Sequence, residues 1–213
     1  MKTISIIIAV FLLSFVQKEN HSQQGVSFNF EKYQEGKTPI AWTEAVTGDG
    51  GMCSWKIVND KSSKVLAQLS TQRLEYRFNV ITNNDLSYKD VAVSLKFKGV
   101  KGISDQGGGP VWRYKDHDNY YVARANPLEN NYRFYKVVNG YRLELKRAKV
   151  NMQTGKWYSL KITMIGNKIQ CFFNGKLMME TTDNTFSEAG KIGLWTKSDA
   201  VTYFDDLTIS PLK

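Results

Sequence analysis

The residues best suited to chemistry lie in one stretch, Gly107 to Gly140, which reads GGGPVWRYKDHDNYYVARANPLENNYRFYKVVNG. This stretch interleaves tyrosine and tryptophan with arginine, lysine and asparagine. Aromatic rings can stack on the apolar faces of a sugar ring, and planar donors can hydrogen bond to its hydroxyl groups. The composition therefore indicates a carbohydrate-binding surface. The alternative is an ordinary solvated face of a β-sheet.

The segment NYYVARAN shows how these residues are positioned if it is a strand. Successive side chains on a strand point to opposite faces. Tyr120, Val122, Arg124 and Asn126 then share one face, while Tyr121 lies on the other with two alanines. One face can pack a core, and the other combines an aromatic ring with hydrogen-bond donors.

The rest of the chain has the pattern of short strands joined by tight turns. VAVSLKFKGV alternates apolar and polar residues along its whole length, and Asn-Gly pairs separate several such runs, which is typical of antiparallel hairpins. Only DNTFSEAG, from Asp183 to Gly190, has room for a helical turn. We therefore predict an all-β fold, a two-sheet antiparallel jelly-roll sandwich, with a single domain spanning residues 23–213.

The N-terminus has the layout of a secretory signal peptide over residues 1–22. Met1 and Lys2 precede an apolar run from Ile4 to Val16, which is followed by the polar QKENHSQQ. The run is too short for a comfortable transmembrane helix. It also lacks an A-x-A-like cleavage site, so an uncleaved anchor is the alternative. We expect the protein to be secreted, periplasmic or associated with the cell envelope.

The charge pattern bears on the class of partner. The formal net charge is +9, from 29 Lys and Arg against 20 Asp and Glu, and the basic residues are spread along the chain. A nucleic-acid-binding protein more often has a concentrated basic stripe or a recognisable module, so nucleic acid is not expected as a partner. An anionic polysaccharide and a membrane surface are both compatible with this long-range positive charge.

Several catalytic classes are disfavoured by what the sequence lacks. The histidine that follows the leader region, His117, lies in a turn, and no G-x-S-x-G motif accompanies it, which argues against Ser-His-Asp or Cys-His catalysis. Gly107 to Gly109 precede Pro110 and a strand, so they do not form a phosphate-binding loop. They indicate instead a bulge or a close approach of two backbones. Cys53 and Cys171 are compatible with either a disulfide or buried thiols.

The C-terminal FDDLTIS places a carboxylate in an apolar row. If Val201 and Tyr203 point inward, Asp205 continues that phase, and an unpaired buried charge is costly. A bulge that turns the side chain outward, a hydrogen-bonded structural role and a cation are the three solutions. For the cation, Asp206 and Glu31 of the first strand would supply oxygen ligands to structural Ca²⁺ if the two chain ends lie side by side.

The central run, together with GKWYSLKITMIGNKIQCFFNGK and AGKIGLWTKSDAVTYFDDLTI, resembles secreted bacterial members of the concanavalin A-like lectin/glucanase superfamily. The closest group is the laminin-G-like and 3-keto-disaccharide hydrolase-like domains, and the match covers nearly all of the chain after the leader. The resemblance implies two curved antiparallel sheets with ligands on the concave sheet. It also implies a structural calcium near the paired termini in some members.

The resemblance extends to individual positions. Arg113 ends a G-x-x-x-R-like strand, Tyr120 and Arg124 match the polar face of the D-N-Y-Y strand, and Lys197 lies in the W-T-K loop. We therefore expect a carbohydrate-binding protein in which Tyr120 stacks on a sugar ring and Lys197 adds positive charge that favours an acidic or densely hydroxylated glycan. Hydrogen bonds to the glycan are expected from Gln106, Arg113, Arg124 and Asn126.

Two other functions fit the same fold. One is a glycan-cleaving enzyme with Asp116, Asp118 or Glu129 as acid or base, although the E-x-D-x-x-E strand motif of family-16 glucanases is absent from the sequence. The other is a protein-interaction domain, as in many laminin-G relatives, which predicts a flat, apolar surface without a groove.

Overall fold

The structure is a computed structural model, and it describes residues 25–213. The signal-peptide prediction lies outside the described residues. The described part is built from strands, and no helix in it is long and apolar enough to cross a membrane. The strands are β1 Val26–Phe28, β2 Trp42–Gly48, β3 Trp55–Asp60, β4 Ser63–Gln68, β5 Arg77–Tyr88, β6 Val91–Lys101, β7 Gly108–Asp116, β8 Asn119–Asn126, β9 Asn131–Val138, β10 Tyr141–Lys149, β11 Tyr158–Ile165, β12 Lys168–Phe173, β13 Lys176–Thr182, β14 Gly190–Lys197 and β15 Val201–Pro211.

These strands form two antiparallel sheets. The back sheet has the order β13-β12-β11-β6-β15-β4-β3, and β1 pairs with β15. The front sheet has the order β10-β9-β8-β7-β14-β5-β2. The predicted all-β, two-sheet sandwich is confirmed. The helical turn considered at Asp183 to Gly190 is absent, because the Asp183 carboxylate accepts hydrogen bonds from the Thr185 amide and the Tyr121 hydroxyl and holds an irregular loop.

The main core lies between the sheets, and the front sheet carries a second apolar cluster on its outer face. The alternation of β8 separates the two: Tyr121 and Ala123 enter the main core, whereas Tyr120 and Val122 enter the second cluster. The other members of the second cluster are Phe78, Val80, Val111, Tyr114, Tyr135, Val137 and Trp195. An antiparallel sheet often leaves one face exposed to solvent. Burial of the second cluster therefore requires that other residues of the protein cover this face.

The front sheet is strongly curved, so that residues from its outer strands reach over the second cluster and bury it. Arg142 of β10 and Phe78 of β5 are five strand spacings apart, which is about 24 Å in a flat sheet. The Arg142 guanidinium nevertheless lies 4.8 Å from the centre of the Phe78 ring. The Thr47 hydroxyl of β2 likewise lies 2.8 Å from the Tyr120 hydroxyl of β8. The outer face of this sheet is therefore concave, and it is called the front groove below.

The C-terminal strand, β15, contains a bulge at the position of its two carboxylates. The pairing of β15 with β6 shifts between Asp205 and Thr208, and Asp206 has a φ of 48°. Phe204 and Leu207 are fully buried on either side of the bulge. The predicted inward orientation of Tyr203 is wrong, because Tyr203 is only half-buried and the residues directly before and after it are fully buried. The bulge moves both aspartates away from the apolar row.

Glu31 and Asp206, the predicted calcium ligands, each make a contact within the protein, and the calcium site stays a prediction. The termini do pair, as expected, but the Glu31 carboxylate accepts a hydrogen bond from the Lys64 amide at 3.2 Å. Asp206 forms an ion pair with Lys96 at 2.7 Å. Among residues 25–213 there is no group of three or more His, Cys, Asp or Glu side chains that could hold a metal ion.

Candidate functional site

The floor of the front groove is aromatic, and a cation lies across it. The Arg142 guanidinium sits 4.5 Å from the Tyr135 ring centre, 4.8 Å from that of Phe78 and 5.6 Å from that of Trp195. A guanidinium over aromatic faces is attracted by the negative charge density of the rings. The side chain thus covers the second apolar cluster while keeping a positive charge inside the groove.

Arg124 is the centre of a buried polar network beside this floor. Its guanidinium donates to Asp105 at 3.0 Å, to both oxygens of Glu129 at 3.1 and 3.3 Å, and to Asn131 at 3.0 Å. Arg124 is 2% exposed, and Asp105 is 1% exposed. Forked arginine–carboxylate pairs combine charge with a fixed direction. The network therefore holds this part of the groove in one geometry.

Glycines upstream of β7 and at its start make room for the network. A Cβ at Gly107 would lie 2.9 Å from the Asp105 carboxylate and 3.0 Å from the Arg124 side chain. A Cβ at Gly109 would lie 1.9 Å from the Ala123 carbonyl oxygen. The predicted role of the triple glycine, a close approach of backbones, is confirmed.

The charge of Glu129 follows from its partners. Burial alone would raise the pKa of this carboxyl, but hydrogen bonds from Arg124 and Asn131 and the charges of Arg124 and Arg133 lower it to about 2. The pKa of Arg124 is raised despite burial, chiefly by the charge of Asp105 and the Glu129 hydrogen bond. Glu129 is therefore ionised at neutral pH and has no proton to give as a general acid.

Lys197 and Arg142 carry positive charge without such partners. Burial, followed by the charge of Arg142, lowers the pKa of Lys197. Burial also lowers the pKa of Arg142, and the charge of Arg124 acts in the same direction. Neither side chain forms an ion pair with a carboxylate among the described residues. The groove thus contains two cations without a direct ion-pair partner among the described residues, and the charge of Asp105 acts on both from a distance.

Several polar atoms of the groove residues are buried without a hydrogen-bond partner among the described residues. They are Arg124 Nε, Asn126 Nδ2, Arg133 Nε, Tyr135 Oη and Arg142 Nη1. Buried polar groups in folded proteins are nearly always paired, so such a cluster points to a polar ligand or bound water.

Three of the six residues predicted to bind ligand come together here. Arg124 and Asn126 share the groove face of β8, as the alternation predicted, and Asn126 pairs in register with Asn131. Lys197 lies close enough to Arg124 and Arg142 for their charges to shift its pKa. The other three predicted residues lie elsewhere or are inaccessible.

Arg113 is a structural residue at the far side of β7. Its guanidinium donates to the carbonyl oxygens of Lys89 at 2.9 Å, Gly166 at 2.7 Å and Phe186 at 2.5 Å, and to the Asp90 carboxylate at 3.3 Å. A register irregularity between Trp112 and Asp116, with a φ of 46° at Arg113, turns the side chain away from the alternating pattern. The expected contact of Arg113 with a glycan is incompatible with this position.

Tyr120 and Gln106 are also occupied within the protein. Tyr120 is fully buried, its hydroxyl lies 3.2 Å from the Trp195 indole nitrogen, and its ring stacks on Tyr114. No face of this ring is open to a sugar, so the stacking role is wrong. Gln106 donates to the Gly102 carbonyl at 3.0 Å and accepts from the Thr154 hydroxyl at 2.5 Å, which fixes a loop instead.

Sequence reasoning missed Arg142, Asp105 and Tyr135. The alternation of YRLEL signals that Arg142 and Glu144 share one face of β10, but it does not show how far the arginine reaches. Asp105 lies in a loop, where its burial depends on Arg124 from another strand.

Comparison with known proteins agrees with this architecture. A sequence model of the 3-keto-alpha-glucoside-1,2-lyase-like domain matches residues 26–210. The chain belongs to this family. It is also 25% identical over 170 residues to the levanase of Bacillus subtilis (strain 168), covering 78% of this chain and 21% of the levanase. The chain therefore spans about a fifth of that curated relative.

Two solved structures illustrate the shared fold of this 3-keto-alpha-glucoside-1,2-lyase-like domain. The carbohydrate-binding module CBM66 from Bacillus subtilis superposes with a TM-score of 0.66 at 22% identity, covering 80% of this chain and 95% of the module. The Bacillus licheniformis β-glucanase superposes with a TM-score of 0.62 at 12% identity, covering 90% of this chain and 100% of the enzyme. At these identities the likeness establishes the fold. The predicted resemblance to 3-keto-disaccharide hydrolase-like domains is confirmed by the family match over residues 26–210.

The carboxylates considered for catalysis are engaged in local contacts. Asp116 accepts hydrogen bonds from the Asp118 amide and the Asn119 side chain, both at 2.9 Å, which closes the β7–β8 turn. Asp118 contacts His117 at 3.2 Å in the same turn. Glu129 is neutralised by arginines in the groove. Each of the three carboxylates is thus engaged in a contact within the protein.

Proposed function

We propose that the protein binds carbohydrate in the front groove and acts in polysaccharide recognition. The observation that carries the proposal is the cluster of unpartnered buried donors beside an aromatic floor in a concave sheet. Sugar hydroxyls are acceptors and donors of the right kind for arginine, asparagine and tyrosine groups. The fold shared with a carbohydrate-binding module, and the match to part of a levanase, support the same conclusion.

The groove favours binding over cleavage. Each carboxylate that its arginines contact is held in an ion pair: Asp105 with Arg124, Glu129 with Arg124 and Arg133, and Glu144 with Arg133. A general acid needs a carboxyl whose pKa is raised, and Glu129 shows the opposite shift. A fixed array of charged groups is suited to orienting hydroxyl groups. A groove of this shape also differs from the flat apolar face expected of a protein-interaction domain.

Within this function, we propose that the glycan carries a carboxylate. Burial and the charge of Arg142 lower the pKa of Lys197, burial and the charge of Arg124 lower the pKa of Arg142, and no described carboxylate is paired with either side chain. A sugar carboxylate would be attracted by both cations and would accept a charge-assisted hydrogen bond from Arg142 Nη1. Residues 1–22, with their leader-like composition, fit action outside the cytoplasm, where such polysaccharides occur.

The test compares matched acidic and neutral sugars. Glucuronic acid and glucose, galacturonic acid and galactose, and their polymers together with levan would be screened on an array and by calorimetry. We expect tighter binding of the acidic members, and we expect R142M and K197M each to weaken that binding at least tenfold while leaving neutral sugars nearly unaffected. Methionine keeps the apolar cover over the rings but removes the charge.

The control is K161M, which removes a lysine from the outer face of the back sheet. Equal binding by wild type, R142M and K197M would contradict the site. Absence of binding to every glycan would contradict the function. Turnover of a polysaccharide, abolished by an amide substitution of one carboxylate, would establish the enzymatic alternative instead.

A further inference from the structure

We infer that the turns at one end of the front groove form a second subsite, which takes a neutral sugar unit of the same glycan. The inference rests on the proposed function and extends it to the length and composition of the ligand. A cavity of about 560 Å³ opens at this end, where four connections meet. It is called the turn pocket below, and its walls include Asp49, Tyr76, Asp118, Asn139, Gly140 and Tyr141.

The walls of the turn pocket are tied to one another. The Gly140 amide donates to the Asp118 carbonyl at 3.0 Å, and the Asp49 amide donates to the Tyr76 carbonyl at 2.8 Å. The Tyr76 hydroxyl donates to the Gly140 carbonyl. These bonds link the β2 end, the start of β5, the β7–β8 turn and the β9–β10 turn. The cavity is therefore preorganised, which lowers the entropic cost of binding.

The pocket offers exposed aromatic residues, which the floor of the front groove does not. Tyr76 is 37% exposed and Tyr141 is 72% exposed. The Tyr76 ring packs on Phe78 with centres 5.2 Å apart, so its orientation is fixed from below. An anchored tyrosine ring with an accessible surface can stack against the apolar face of a sugar.

The polar groups of the pocket match hydroxyl groups. The side chains of Asp49 and Asn139 make no hydrogen bond among the described residues, and one oxygen of Asp118 is also unpaired there. Carboxylates are acceptors only, so they favour hydroxyl donors. They also repel a carboxylated sugar. The turn pocket is therefore the more negative end of the groove, whereas positive charge predominates at the end that contains Arg142 and Lys197.

The separation of the two sites sets the ligand's length. The Arg142 guanidinium lies 4.8 Å from the Phe78 ring centre, which in turn lies 5.2 Å from the Tyr76 ring centre, so the acidic site is within about 10 Å of the turn pocket. A glycan that contacts both sites is therefore an oligosaccharide whose acidic and neutral units are close together along the chain.

The experiment measures affinity against chain length with the full protein. Oligosaccharides with one terminal uronic acid and increasing numbers of neutral hexose units would be titrated by calorimetry, beginning with the uronic acid alone. We expect affinity to rise at least tenfold once the chain reaches the turn pocket. In the D49A/D118A variant and in Y141S, which change exposed or half-buried positions, this increase in affinity should be lost while binding of the uronic acid alone is retained.

E35A, which changes an exposed carboxylate outside the pocket, is the matched control and should keep the full gain. In NMR spectra, the backbone amide chemical shifts of Gly140 and Asp118 should change when the longer oligosaccharides are added and should not change with the uronic acid alone. The second subsite is overturned if longer oligosaccharides do not bind wild type more tightly, or if both pocket variants keep the full increase in affinity. Either result leaves the proposed function standing. Failure of wild type to bind the uronic acid or any longer chain counts against the proposed function itself.

Discussion

At the scale of single residues, Glu129 shows how pairing outweighs burial. Its pKa is lowered to about 2 from an ordinary value of 4.5, because arginine and asparagine hold the ionised form. A lowered carboxyl pKa stabilises the fold above the unfolded-state value. That stabilisation is lost as pH falls through the folded-state value.

We therefore expect the free energy of unfolding to decrease between about pH 5 and pH 2, with Glu129 contributing roughly 1 kcal/mol after allowance for solvent screening. In E129Q this part of the pH dependence should disappear. Urea unfolding of wild type, E129Q and E35Q at pH 7 and pH 3 measures it. Parallel loss of stability in wild type and E129Q on acidification would show that the groove network does not control the carboxyl.

Local alternation could predict which residues share a face, but it could not predict exposure. It placed Tyr120 with Arg124 correctly, yet the burial of Tyr120 depends on Thr47 and Trp195, which are distant in the sequence. The orientation of Arg113 depends on an irregularity in β7 at a non-glycine residue with positive φ, which has no clear signature in the sequence.

At the scale of strands, the front groove depends on β7 and β8 approaching closely. Gly109 of β7 leaves no space for a side chain, since an added Cβ would lie 1.9 Å from the Ala123 carbonyl oxygen of β8. Backbone on the facing strand cannot move aside without breaking the ladder between them. The glycine-rich start of β7 is thus a requirement of sheet geometry.

We expect G109A to destabilise the protein by about 2 kcal/mol or more, as overpacking against backbone does. G51A is the matched control, because no atom lies within 4 Å of its added Cβ and its effect should stay within about 0.5 kcal/mol. Urea unfolding measures both. Similar stabilities for the two variants would mean that β7 can shift without cost.

At the scale of the whole molecule, the sandwich is held together without a covalent cross-link. Cys53 and Cys171 are buried free thiols. Burial is the main cause that raises the pKa of each thiol to about 12. The sequence left a disulfide and buried thiols as equal alternatives, because pairing depends on distances that only the fold defines.

We expect thiol reagents at pH 8 to leave the folded protein unmodified and to label both cysteines after denaturation, because the thiolate is the reactive form. Reducing agent should leave the melting temperature unchanged. Rapid labelling of the native protein, or a lower melting temperature in reductant, would contradict the buried-thiol state.

The pairing of β1 with β15 places the two ends of the described chain side by side. Val26 lies opposite Ile209, and a Cβ on Gly25 would be 3.0 Å from the Ser210 hydroxyl. Both ends belong to the back sheet, on the side of the sandwich opposite the groove. A fusion partner, an affinity tag or an immobilising support joined at either end would therefore leave the glycan-facing side unobstructed.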